Sequence, residues 1–113
     1  MPGISIHVVD VSRGVVAAGM RVELLRDGAL LAAGSVSPKG LVEERAFAEK
    51  FPSASYEARF HVGAWYREQG VVIPAVPFLD VVSYRFGIAD PAQHYHLLFK
   101  CTPWGYSCFR GGA

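Results

Sequence analysis

The sequence predicts an all-β sandwich of seven to eight strands with one short helix, on three observations. Turn-forming residues recur about every ten positions. Several segments between those turns alternate apolar and polar side chains, the period of a half-buried strand. One segment, "GAWYREQG", instead sets good helix formers between bracketing glycines.

In chain order, "ISIHVVD" places Ile4, Ile6 and Val8 on one strand face and Ser5, His7 and Val9 on the other. "MRVELL" is the next strand, closed by the turn "RDG". "ALLAAGSV" pairs back across that turn as a hairpin. "SPKG" is a second turn, and "LVEERAF" after it is expected to be a strand. "SYEARFHV" alternates, with Tyr56, Ala58, Phe60 and Val62 inward. The helix follows over about two turns. "FLDVVSYRFGI" and "HYHLLFKCT" are strands joined by the turn "ADPAQ". The tail "PWGYSCFRGGA", rich in glycine, is expected to be irregular and to lie on the surface.

With 113 residues, 51% of them apolar, the chain is expected to form one domain over 1–113 with a single core. Eleven basic and ten acidic side chains nearly balance, which gives no electrostatic reason to expect nucleic acid or an anionic membrane as partner. No stretch reaches the roughly 18 apolar residues of a membrane span. "MPGISIHVVD" lacks the basic head and apolar run of a secretory leader, so a cytoplasmic location is expected. Cys101 and Cys108 are expected to be free thiols, at a spacing that fits no common zinc pattern.

Chemistry concentrates in "HYHLLFKCTPWGYSCFRGGA". On a strand, His94 and His96 share a face and Tyr95 takes the other. With His7, they admit three readings: a three-histidine zinc site, metal-free acid/base catalysts, or structural side chains. Ser107 and Cys108 are candidate nucleophiles, though no nucleophile elbow surrounds them. Arg110, among glycines, is a candidate anion contact. Asp10, Asp80 and Asp90 stand next to turns, where capping is the default role.

Two long stretches, "IHVVDVSRGVVAAGMRVELLR" and "FLDVVSYRFGIADPAQHYHLLFKCTPWGYSCFRGG", resemble the transthyretin-like 5-hydroxyisourate hydrolases. That family opens on a His-Val-Leu-Asp segment and closes on HYHVPLLLSPxGYSTYRGS. The resemblance runs from Ile4 to Gly111. It implies a transthyretin-like β-sandwich, a homotetramer built as a dimer of dimers, and active sites in a channel between dimers. It further implies metal-free and cofactor-free opening of the six-membered ring of 5-hydroxyisourate by water. Its catalytic histidines fall on His7 and His96.

The sequence departs from that pattern around the implied substrate. Leu41 stands where the family has an arginine after the glycine of the "SPKG" turn. On an unbroken strand Arg45 would face the same way as Leu41, about 13 Å along. Tyr-Arg-Gly-Ser becomes Phe109-Arg110-Gly111-Gly112, and Lys100 appears on the alternation of His94 and His96. Leu41, Arg45, His94, Lys100, Ser107, Phe109 and Arg110 are therefore the expected substrate-binding residues. The apolar changes suggest an N-methylated 5-hydroxyisourate, the product expected from oxidation of a methylxanthine such as caffeine. A non-catalytic transthyretin-like binding protein is the rival expectation.

Overall fold

A computed structural model describes residues 2–112. Two four-stranded sheets face each other. The first has the order β2-β1-β7-β8, with β1 at Gly3–Asp10, β2 at Val15–Val16, β7 at His94–Thr102 and β8 at Gly105–Gly111. The second has the order β4-β3-β5-β6, with β3 at Arg21–Arg26, β4 at Ala29–Ser35, β5 at Ala54–His61 and β6 at Val81–Ile88. A helix α1, Val62–Glu68, follows β5.

The alternation read from the sequence is the packing observed. Ile4, Ile6 and Val8 of β1 face the core with Tyr56, Ala58 and Phe60 of β5 and Leu97 and Phe99 of β7. Phe60 and Phe99 stack across the two sheets with centroids 3.9 Å apart. Asp27 (φ 50°) and Gly28 (φ 76°) both take left-handed backbone in the β3–β4 turn. That is the geometry of a type I′ hairpin, which matches strand twist and favours Asp-Gly.

One pairing sets the outer face of the first sheet. Strand β1 runs parallel to β7, in register from Gly3 opposite His94 to Asp10 opposite Cys101. Ser5 is thereby set opposite His96 and His7 opposite Leu98, all on the outer face of the sheet.

Two expectations are corrected. "LVEERAF" is not a strand: only Leu41 and Val42 form isolated bridges, to His7 and Val36, and a 3-10 turn follows at Arg45–Ala48. Glu43, Glu44 and Arg45 are all exposed, so this run cannot alternate against a core. The 3-10 turn instead buries Phe47. The tail is not irregular: Gly105–Gly111 is β8, antiparallel to β7. Thr102 Oγ1 accepts hydrogen bonds from the Trp104 and Gly105 amides, at 3.0 and 3.1 Å, and closes the connection tightly. The strand therefore begins just past Pro103, and its glycines sit in pairing positions.

Asp10, expected only to cap a turn, is fully buried. It accepts from the Ser12 amide and hydroxyl, from Arg13 and from the Tyr66 hydroxyl of α1, at 3.0, 2.6, 2.7 and 2.7 Å. Burial would raise its pKa, but the hydrogen bonds from Ser12, Arg13 and Tyr66 together hold it below the ordinary carboxylate value. Asp90 keeps the expected capping role, accepting from the Ala92 amide. Among the described residues no helix is long and apolar enough to cross a membrane.

Candidate active site

Strand parity gathers one set of side chains on the outer face of the first sheet. Ser5, His7 and Val9 come from β1, and His94, His96, Leu98 and Lys100 from β7. Ser107, Phe109 and Gly111 of β8 lie opposite Lys100, Leu98 and His96. Leu41 joins them through its bridge to His7. Of the predicted residues, His7, Leu41, His94, His96, Lys100, Ser107 and Phe109 thus share a face.

Two glycines seat the two histidines. A Cβ on Gly111 would lie 2.8 Å from His96 Cδ2 and 2.8 Å from Leu98 Cδ1. The His96 ring lies over bare backbone on β8. Gly40 has φ +84°, and a Cβ there would meet His7 Nε2 at 2.7 Å and Val16 Cγ1 at 2.7 Å. The turn that the sequence marks with "PKG" is therefore also a wall against His7.

Ser5 was missed by the sequence reading. Its Oγ is 2.6 Å from His96 Nδ1 and 2.7 Å from His94 Nε2. His94 Nδ1 makes a longer contact of 3.4 Å to the Pro2 carbonyl. His96 is half-buried. Burial first, then repulsion from His7 and His94, lowers its pKa below the ordinary 6.5. That shift favours the neutral imidazole, the form able to take a proton.

Two predicted binding residues stand apart. Arg110 pairs with Leu97 and so lies on the opposite face of β8 from Phe109 and Gly111. Its guanidinium sits 4.0 Å above the Tyr95 ring centroid and donates to Gln93 Oε1 and the His94 carbonyl, at 3.2 Å each. It anchors the start of β7 rather than facing the histidines. Arg45 opens the 3-10 turn, which breaks the alternation that would have aligned it with Leu41. Lys100 remains on the face, its ammonium 5.6 Å from the Phe109 ring centroid.

Cys108 does not fit a nucleophile. Burial pushes its thiol pKa up to about 12 and that of Cys101 up to about 11. Both cysteines are free. Among the described residues, no group of three or more His, Cys, Asp or Glu side chains is arranged to hold a metal ion. His94 and His96 turn their facing nitrogens onto one hydroxyl instead. The remaining histidine, His61, belongs to the other sheet and pairs with Glu23 at 2.6 Å.

The histidine face is open. A hollow of about 280 Å³ lies at its Lys100 end, lined in part by Val11, Thr102, Tyr106 and Ser107. Another hollow, about 220 Å³ between Asp27, Tyr56, Glu57 and Arg85, lies on the second sheet, and neither hollow is lined by a histidine.

A 5-hydroxyisourate hydrolase of Halalkalibacterium halodurans is 38% identical over 114 residues, covering 96% of this chain and 96% of that protein. The structure of Klebsiella pneumoniae 5-hydroxyisourate hydrolase superposes with a TM-score of 0.85 at 30% identity, covering 99% of this chain and 100% of the other. (S)-allantoin synthase superposes with a TM-score of 0.87 at 30% identity over 97% of this chain, which spans only 43% of that longer chain. The signature of the HIUase/transthyretin family matches residues 4–111, and the chain belongs to that family.

Proposed function

We propose that this chain is a hydrolase that opens the cyclic amide ring of 5-hydroxyisourate or an N-methylated analogue by metal-free histidine acid/base chemistry. The observation that carries the reading is a half-buried His96 sharing a sheet face with His7. It gains weight because relatives covering nearly the whole chain are named 5-hydroxyisourate hydrolase.

Ring opening needs three things at one carbonyl: an activated water, stabilisation of charge on the oxygen, and a proton for the departing nitrogen. His96 and His7 divide the first and third. Lys100 and Ser107 supply a cation and a hydroxyl on the same face. Leu41 beside His7, with Leu98 and Phe109 along the face, makes the surface around the histidines apolar. Such a surface suits a substrate whose ring N–H groups carry methyls. It gives no guanidinium to an unmethylated, anionic ring, and this is the basis for preferring the methylated analogue. An open sheet face does not exclude water, so the site is proposed to be completed by a second copy in a homotetramer, a dimer of dimers.

Ultraviolet decay of 5-hydroxyisourate and of its trimethyl analogue, each with and without protein, tests substrate and activity together. Faster decay of both, with the methylated compound preferred, is expected. Equal or better turnover of the unmethylated compound removes the methylation preference, and acceleration of neither removes the hydrolase. The Leu41 side chain, standing where family members have arginine, favours one rival: a carrier that binds a small ligand without turning it over. In a carrier, His96→Ala leaves no turnover to lose.

A further inference from the structure

The hydrogen-bond chain at the head of β1 has a direction. Pro2 contributes a carbonyl, which only accepts, so the His94 nitrogen facing it, Nδ1, carries the hydrogen. A neutral His94 then has a bare Nε2, and the Ser5 hydroxyl donates to it across 2.7 Å. The single hydrogen of Ser5 is thereby used. Its oxygen accepts from His96 Nδ1 across 2.6 Å, so that nitrogen is protonated. In a neutral His96 the only bare nitrogen is then Nε2. The reverse order sets a lone pair of His94 Nδ1 against the Pro2 oxygen and leaves His96 Nε2 with its hydrogen, unable to accept another.

We infer that Ser5 and His94 are positioning residues that lock His96 in the Nδ1-protonated tautomer, presenting Nε2 as the general base. The inference rests on the hydrolase reading above and assigns its roles. As water attacks, one of its O–H bonds breaks, an Nε2–H bond forms, and the water oxygen bonds to the ring carbonyl carbon. The resulting imidazolium keeps its Nδ1–H on Ser5, where the bond strengthens with the charge. When the carbon–nitrogen bond breaks, His7 protonates the departing nitrogen. One turnover adds a proton to His96 and removes one from His7, and exchange with solvent restores both.

The parallel register is what makes this possible. Ser5 lies opposite His96 and Gly3 opposite His94, so one hydroxyl between those two levels reaches both rings. Serine fits because it both donates and accepts; an alanine cannot relay, and a carboxylate would accept from both rings and raise the His96 pKa. The Arg110 bond to the His94 carbonyl braces the same end of β7.

The test is nitrogen NMR of the imidazole rings in the full-length 15N-labelled protein at pH 8, beside steady-state kinetics. Wild type is expected to show His96 as the Nδ1–H tautomer. Ser5→Ala is expected to move His96 toward the Nε2–H form and to lower kcat at least about 10-fold while KM stays within about twofold. Ser5→Thr keeps a hydroxyl and is expected to restore both readings. An Nε2–H tautomer in wild type overturns the inference and needs no variant to fold. So does a Ser5→Ala protein with unchanged kcat. A wild type that fails to turn over either isourate removes the hydrolase reading, while the tautomer measurement still decides the lock.

Discussion

His96 is held neutral by its surroundings, and that has a sign in pH. Its folded pKa lies below 6.5, so below that pH the unfolded chain binds more protons than the folded one. Stability contributed here is present above pH 6.5 and is lost as pH falls toward the folded value. Catalysis follows the same group: the acidic limb of kcat against pH is expected to fall below 6.5. Because His7 is the second cause of the shift after burial, His7→Gln is expected to move the His96 midpoint upward in an NMR titration. An unchanged or lower midpoint contradicts the proposed proximity. The two seating glycines give a steric prediction. Gly111→Ala drives a methyl against His96 and Leu98, and is expected to cost about 1–3 kcal/mol and to lower kcat. Gly40→Ala adds a left-handed backbone penalty to its clash with His7. Urea unfolding of both variants, followed by kinetics on the folded fraction, measures this.

At the scale of elements, the first sheet is fixed to the helix through Asp10 and Tyr66. Tyr66→Phe leaves the buried carboxylate one donor short, and is expected to lower stability by about 1–3 kcal/mol in denaturant titrations, with little change in KM. Strands β1 and β7 are legible in the sequence because their side chains alternate, and the helix because good helix formers stand between Gly63 and Gly70. Parity puts His94, His96 and Lys100 on one face of β7; Leu41 and Phe109 enter the sequence reading only through the family pattern, and their place on that face is set by the bridge to His7 and the β7–β8 register. Arg110 stands apart from the histidines because the tail expected to be irregular is a strand. Once Gly105–Gly111 is a strand, Arg110 takes the parity of Tyr106 and Cys108, away from Phe109. Arg45 loses its alignment with Leu41 for the converse reason: the expected strand gives way, within three consecutive charged residues, to the 3-10 turn. Ser5 could not be found at all. Its partners lie 89 and 91 residues away, and the parallel register that joins them has no local signature.

For the whole molecule, the proposed site is a sheet face, not a cleft. Phe109 is 44% exposed on it, and Leu41 and Leu98 are half-buried. A homotetramer that covers this face predicts that activity per chain falls when the protein is diluted below its assembly concentration. Light scattering and rate measurements on one dilution series check it; constant activity in dissociated protein contradicts a shared site. This face is proposed to open the ring of a 5-hydroxyisourate. It is tested most directly by the ultraviolet decay of 5-hydroxyisourate and its trimethyl analogue with wild type and with His96→Ala of matched assembly state. Acceleration by wild type and a loss of at least about 100-fold in His96→Ala are expected. Wild-type rates in His96→Ala would contradict it.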